Sequence, residues 1–512
     1  MSHIMTYYLL PRSNLLSQKY IDCILTDEVP GPVISFSLSN YLYEIKGELE
    51  SQEKDWDIFK KYTNPYEYIH TQIPQRKKCV SKYKPLSRSY FKMIEIIRLF
   101  DLYYDSLPIH CFSDEDSIGI RPRNSTSTLF NSSDTSVLPP FVSEVGMKGS
   151  EKTSPRLQTA PGVKLPLQLV VEGLQPSDQD TCFVKQNLDP EKNVPSLRPV
   201  RSFHLAEGPG GFIEAFSGVR KCSQDLYVGM TILDENNDPN IPAWKKTEHF
   251  LRQNKNVYIE KGVTGTGNIL AIENLEYCRE KYGSSMDLIT ADGGFDFSLD
   301  FNQQEIIISR LLYAQMAFAI LLQRKGGCFI LKIFDAFMQH SIDILFILSS
   351  FYEKTYIIKP QTSRYANSEK YVVCKNFLFG SVDSHYPILH RTFEKMMASP
   401  EKYVHRFMTI PIPLHFVTRL EEYNAIFGQQ QIENIHYTIS LIKNKNRQDK
   451  IENLVKTNVQ KCIAWCIKYN VPFFTFTQQL ATPNIFADRE QGTYGSINRP
   501  LSGGTIGSIE TV

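Results

Sequence analysis

The sequence carries almost no excess of either charge: 56 lysines and arginines stand against 55 aspartates and glutamates, a net charge of +1. This excludes a chain that is polybasic throughout and leaves phosphate-bearing partners only a local basic groove. Long apolar runs are missing too. No stretch reaches the roughly 18 uninterrupted apolar residues that a membrane span needs. The opening "MSHIMTYYLLPRSN" has no basic head followed by an apolar segment. The expectation is a soluble protein with no membrane partner. Ten cysteines run from Cys23 to Cys466 without a C-x-x-C pair, which excludes the common zinc and redox frameworks and points to reduced core thiols. Cys462 and Cys466, one helical turn apart in "CIAWC", read as a buried helix face rather than as ligands, and no metal is expected.

What is present is enough apolar residue, 42% of 512, for one large core or two ordinary ones. Residues 1–60 form an N-terminal extension that ends in the helix-like "WDIFKKY". In 61–120, "SRSYFKMIEIIRLFD" repeats apolar residues at helical spacing. Residues 121–200 are rich in Ser, Thr, Asn and Pro and read as a loop-like or disordered insertion, with "LPLQLVVEGL" as a short strand inside it. From 201 to 380 short apolar strands alternate with longer helices, which specifies an α/β doubly wound, mostly parallel sheet of seven strands. Residues 381–490 read as helical, "TFEKMMASPEKYVHRF" included, and 491–512 as a mobile tail.

In a doubly wound sheet ligands lie at the carboxyl ends of the strands, near the switch in strand order. "FHLAEGPGGFIEAF" places a bare turn there, between the first strand and a helix. The dinucleotide fingerprint needs G-x-G-x-x-G, and G-P-G-G misses that register. A nicotinamide oxidoreductase fails on this spacing and on the lack of a hydride-site histidine. A ligand that carries a carboxylate and an amine fits the turn at least as well as a pyrophosphate. At the fourth strand, "DLITADGGFDFS" aims Asp292 into the crevice; at the fifth, Lys332 interrupts the apolar "GGCFILKIFD". A lysine there needs acidic partners or a task, unless its stem packs while its head reaches water. Glu369 in "KPQTSRYANSEKYVVCKNF" and Lys92 in the upstream helix each read, singly, as exposed charges.

Taken together, the order Lys92, Asp292, Lys332, Glu369 resembles the Lys-Asp-Lys-Glu tetrad of the FtsJ-like (RrmJ-type) RNA ribose 2′-O-methyltransferases. The similarity is greatest to their cap-specific mRNA (cap-1) branch, which occurs in eukaryotes and large DNA viruses. The motifs "NPYEYI", "SRSYFKM", "EGPGGF", "ADGGFDFS", "NQQE", "GGCFILKIFD" and "KPQTSRYANSEKYVV" carry it, in the family's order over about residues 64 to 377. The interval from Lys92 to Phe203 is longer than is usual in that family, and Asn268 in "GTGNI" stands where an acid is common.

The resemblance implies a Rossmann-like methyltransferase fold that uses S-adenosyl-L-methionine, with capped mRNA as substrate, other capping or transcription proteins as partners and a cytoplasmic or nuclear location. For a virus-encoded chain this means the host cytoplasm or the virion. It implies Lys92, Asp292, Lys332 and Glu369 as the catalytic group. It also implies a cofactor site of Glu207, Gly208, Pro209, Gly210, Gly211, Phe212, Gly229, Met230, Asn268, Ile269 and Asp292. RNA phosphates would meet Arg88 and Arg364, although Arg364 reads equally well as the brace of a turn. Tyr66 and Tyr68 are candidates to stack on the cap guanine. Two other readings stay open at this point: a non-catalytic RNA-binding or scaffold subunit of a capping or polyadenylation assembly, and a 2′-O-methyltransferase acting on ribosomal or transfer RNA.

Overall fold

The computed structural model describes residues 7–13, 18–50, 53–102, 198–233, 243–294 and 302–474. The insertion expected over 121–200 lies outside the described residues up to 197, as does the tail. The N-terminal part supplies β1 (Tyr7–Leu9), β2 (Ile21–Thr26), α1 (Phe36–Glu50), α2 (Glu53–Thr63) and α3 (Ser89–Phe100). The alternating block follows as β3 (Arg201–Leu205), α4 (Gly211–Arg220), β4 (Leu226–Met230), α5 (Glu248–Gln253), β5 (Val257–Ile259), α6 (Ile272–Tyr282) and β6 (Met286–Ala291). It continues with α7 (Gln304–Ile307), α8 (Ser309–Leu322), β7 (Gln323–Ile333), α9 (Gln339–Phe351), β8 (Tyr352–Ile358) and β9 (Lys370–Phe377). Last come α10 (Tyr386–Met397), β10 (Tyr403–Met408), α11 (Leu414–Lys443) and α12 (Gln448–Lys468).

The seven strands expected from the alternating block all form, in the order β8-β9-β7-β6-β3-β4-β5, with β3 to β7 parallel and β9 antiparallel to β7. The sheet has eight strands rather than seven, because β1 pairs antiparallel with the outer edge of β8. Three residues are too few to carry a period. What places β1 is an edge in need of hydrogen bonds, helped by the Tyr8 hydroxyl, which donates to Glu422 Oε2 at 2.7 Å. A second departure lies in 392–407, read as helical. Helix α10 stops at Met397, Ser399-Pro400 breaks the backbone, and β10 then pairs antiparallel with β2.

Helices cover both faces. Alternate residues of β7 enter opposite cores: Phe329, Leu331 and Ile333 pack with α8, α9, α10 and α11, whereas Cys328 and Ile330 pack with α3, α4 and α12. Strand β6, "MDLITA", is buried throughout, as expected of a parallel strand covered on both sides. Cys462 and Cys466 are fully buried in the second core, with the Cys462 thiol 3.5 Å from the Pro65 carbonyl. Among the described residues no helix is long and apolar enough to cross a membrane.

Candidate active site

The alternation that separates the two cores also gathers charges. Leu288 and Ile330 belong to the α3-side core, so Asp292, four residues past Leu288, and Lys332, two past Ile330, fall on that same face. Lys332 lies directly opposite Tyr371 in the antiparallel β7–β9 pair, so their side chains leave the sheet together. Glu369, two residues before Tyr371, shares the face. Lys370 takes the other one, where it and Lys46 meet Asp335 at 3.4 and 3.1 Å. The fourth member comes from helix α3, whose buried face carries Lys92 against the sheet.

These residues form one connected path. Lys332 Nζ donates to the Asp292 carbonyl at 2.7 Å and lies 3.4 Å from Asp292 Oδ1. The Tyr371 hydroxyl donates to Asp292 Oδ1 at 2.8 Å and accepts from Lys92 Nζ at 3.3 Å. Lys92 Nζ is 2.5 Å from Glu369 Oε1, which also accepts from Ser363 Oγ at 2.8 Å. Burial disfavours the Lys92 ammonium and lowers its pKa, with Arg88 and Lys332 adding to the effect and Glu369 and Asp292 opposing it. Burial alone would raise the Glu369 carboxyl. The charges of Lys92 and Lys332, with the Lys92 hydrogen bond, hold it well below the usual range, so it is ionised. All four tetrad residues therefore meet, and Arg88, at the start of α3, is near enough to bear on Lys92, Glu369 and Tyr371. Tyr371 and Ser363 escaped notice in the sequence. Both lie inside the motif around Glu369, and the two-residue step from Glu369 to Tyr371 is the signal that could have found the tyrosine.

The second group lies at the switch point, where β3 and β6 are neighbours although β4 and β5 intervene in the chain. The glycine-rich turn follows β3; Gly210 has φ +99°, a conformation that favours glycine, and opens α4. The room left by its missing side chains is taken by protein. A Cβ on Gly208 would strike the Ala243 carbonyl, and one on Gly211 would strike the hydroxyls of Ser87 and Ser89, which lead into α3. A bare turn thus lets the Lys92 helix approach the sheet. Glu207 is buried, accepts from Thr290 Oγ1 and has Oε2 3.3 Å from His204 Nδ1; burial raises its pKa, against the pull of His204. Phe212, Met230 and Ile269 are buried core side chains, and Phe212 packs 5.7 Å from the Tyr371 ring. Asn268 Oδ1 accepts from the Leu270 amide at 2.9 Å, which shapes the loop after β5. Pro209 and Gly229 complete the set at the ends of β3 and β4.

Two expected RNA contacts are placed otherwise. Arg364 grips the buried Glu67 with two hydrogen bonds of 3.0 and 2.7 Å, the turn-bracing alternative. Tyr68 is 1% exposed and has no face to offer a base, whereas Tyr66 is half-buried at the rim of the second core.

A mostly parallel α/β sheet with a glycine turn after its first parallel strand and an acid at the end of the neighbouring strand across the switch point defines the class of Rossmann-like methyltransferase folds. Within that class, residues 184–377 match the family described as FtsJ-like methyltransferase. Relatives include the cap-specific mRNA (nucleoside-2′-O-)-methyltransferase 1 of Trypanosoma brucei brucei, 30% identical over 199 residues that make 38% of this chain and 53% of that protein. The enzyme of the same description in Mus musculus is 35% identical over 35% of this chain and 22% of its own length. The cap-specific mRNA (nucleoside-2′-O-)-methyltransferase 2 of Pongo abelii is 29% identical over 51% of this chain and 34% of its own. The chain thus spans about half the length of the first of these relatives and about a third or less of the others.

Proposed function

We propose that the chain methylates the ribose 2′-hydroxyl of the first transcribed nucleotide or nucleotides of capped mRNA, with S-adenosylmethionine as methyl donor. The observation that carries this reading is the unbroken path Lys332–Asp292–Tyr371–Lys92–Glu369 beside the switch point. The activity for which the relatives are named supports the choice of capped RNA. The donor set suits the cofactor: a helix start for its carboxylate and the Asp292 carboxylate for its positive charge.

S-Adenosylmethionine supplies an electrophilic methyl on a cationic sulfur. The protein's part is alignment and the fate of one proton. As the 2′-oxygen bonds the methyl carbon and the carbon–sulfur bond breaks, the hydroxyl proton must leave. Lys332, tethered at two points by Asp292, orients that hydroxyl and accepts its proton in its neutral form. Glu369 and Lys92 fix the far end of the path, and Arg88 meets an RNA phosphate. Tyr66 is the stacking surface for the cap guanine, and other capping or transcription proteins are the expected partners.

The test is transfer of labelled methyl to capped and to uncapped RNA of one sequence. Transfer confined to capped RNA is expected. Lys332→Ala should lower the rate 10²–10⁴-fold, with S-adenosylhomocysteine binding within a few-fold of normal. A Lys332→Ala protein that still methylates at the parent rate would refute the role of that amine.

A further inference from the structure

Residues 243–247, ahead of α5, clasp the glycine-rich turn. The Thr247 hydroxyl donates to the Pro209 carbonyl at 2.8 Å, and the Thr247 amide donates to the Trp244 carbonyl at 3.1 Å, which closes a short turn over residues 244–247. Ala243, held at φ +35° where an alanine is strained, sets its carbonyl against Gly208. The Trp244 indole then enters a notch between two glycines. A Cβ on Gly229 would stand 2.5 Å from Trp244 Cη2 and 3.0 Å from Cζ2, and one on Gly210 would stand 3.2 Å from Cζ3. The far edge of the ring therefore lies where two side chains would otherwise be. Gly229 is a regular strand residue with no positive φ, so its conformation does not demand glycine. The indole does.

We infer that Trp244 is a positioning residue for the cofactor turn: Gly229 is side-chain-free to seat its indole, and the seated indole fixes the turn in the shape that binds S-adenosylmethionine. The second half rests on the function proposed above; the first half does not. In the absence of ligand the wedge ties residues 243–247 to the turn after β3 and to the end of β4, which the β3–β4 ladder already holds together as far as the Ala206 amide and the Met230 carbonyl, 2.7 Å apart. A ligand that settles on the turn then meets a shape already formed.

The experiment is a double-mutant cycle on the full chain with Gly229→Ala and Trp244→Phe, since the shorter ring withdraws the atoms that occupy the notch. Two quantities are read: the melting temperature without ligand, and the affinity for S-adenosylhomocysteine by calorimetry. Alone, Gly229→Ala should lower the melting temperature by several degrees and weaken binding about tenfold or more. Trp244→Phe should weaken binding several-fold and raise KM for S-adenosylmethionine while KM for capped RNA stays put. Added to Trp244→Phe, Gly229→Ala should cost clearly less in both quantities than it does in the parent, the remainder being the shift of the Ile213 methyl. Effects of the two substitutions that simply add in the melting series would overturn the wedge, and unchanged affinity in Trp244→Phe would overturn its role at the cofactor turn. If the parent protein melts as expected yet binds no S-adenosylhomocysteine, the cofactor reading falls and takes the second half with it, while the wedge stands. Should Gly229→Ala fail to fold, folding of the double variant supports the wedge and its failure overturns it.

Discussion

The Tyr371 hydroxyl joins the two halves of the charged path: it accepts from Lys92 and donates to Asp292. Burial, with Asp292 and Glu369 adding to it, pushes the phenol well above its usual pKa, so it remains a neutral donor across the working range of pH. Tyr371→Phe keeps the buried ring and removes only this link. We expect a loss of about 1–3 kcal/mol in stability, because Asp292 loses a buried donor, and about a tenfold fall in kcat with KM for S-adenosylmethionine little changed. Denaturant unfolding and steady-state kinetics on one preparation check both. A kcat equal to that of the parent would remove the tyrosine from the path. At the same scale, Arg364 belongs to structure: its fork is filled by Glu67, whose carboxyl it holds well below the usual range against burial. Arg364→Lys should therefore lower stability rather than change the salt dependence of RNA binding.

Two buried carboxyls fasten elements to each other. Glu305 on α7 accepts from the amides of Phe337 and Met338 at 3.0 and 2.8 Å, just before α9 begins. Asp343 on α9 accepts from the amides of Phe407 and Met408 in β10 at 2.8 and 3.1 Å. Burial raises Glu305 from 4.5 to about 7 and Asp343 from 3.8 to about 6, despite those hydrogen bonds. In these windows the folded protein keeps a proton that the unfolded chain releases, so stability falls as pH rises from about 4 through about 7 and then levels off. For Glu305 the loss is on the order of 3 kcal/mol. Glu305→Gln, which retains a carbonyl acceptor, should flatten the fall; denaturation midpoints at pH 4.5 and 7.5 for parent and variant measure it. Identical pH slopes in the two proteins would place the titration elsewhere.

Across the whole molecule, the region after β9 acts as a buttress. Helix α12 lays Trp465, 2% exposed, against Phe91 of α3 at 5.8 Å between ring centres, next to Lys92 in the chain. Trp465→Ala should cost about 3–5 kcal/mol. Since α3 alone carries Lys92 to the sheet, methyl transfer should also fall at temperatures far below the new melting point. Thermal melting paired with activity at 20 °C would detect this. Full activity in a destabilised variant would mean that α12 supports the fold and not the site.

The sequence by itself determined the seven alternating strands, the helix of Lys92 and the four ionisable positions, because short apolar runs, helical spacing and charges at strand ends are local properties of the chain. The motif order carried the resemblance to the FtsJ-like methyltransferases on the same terms. Tertiary structure decided the rest. Strand β1 and the β2–β10 pair exist because edges distant in sequence needed partners. The parity of β6, β7 and β9 set three of the charges on one face, and the packing of α3 against the glycine turn delivered the fourth. Whether Arg364 faced RNA or Glu67, and whether the bare turn made room for a ligand or for Trp244 and Ser87, turned on contacts between segments over a hundred residues apart or across a returning loop. No local pattern encodes such contacts, since a side chain's partners are fixed only once the sheet order has brought them together.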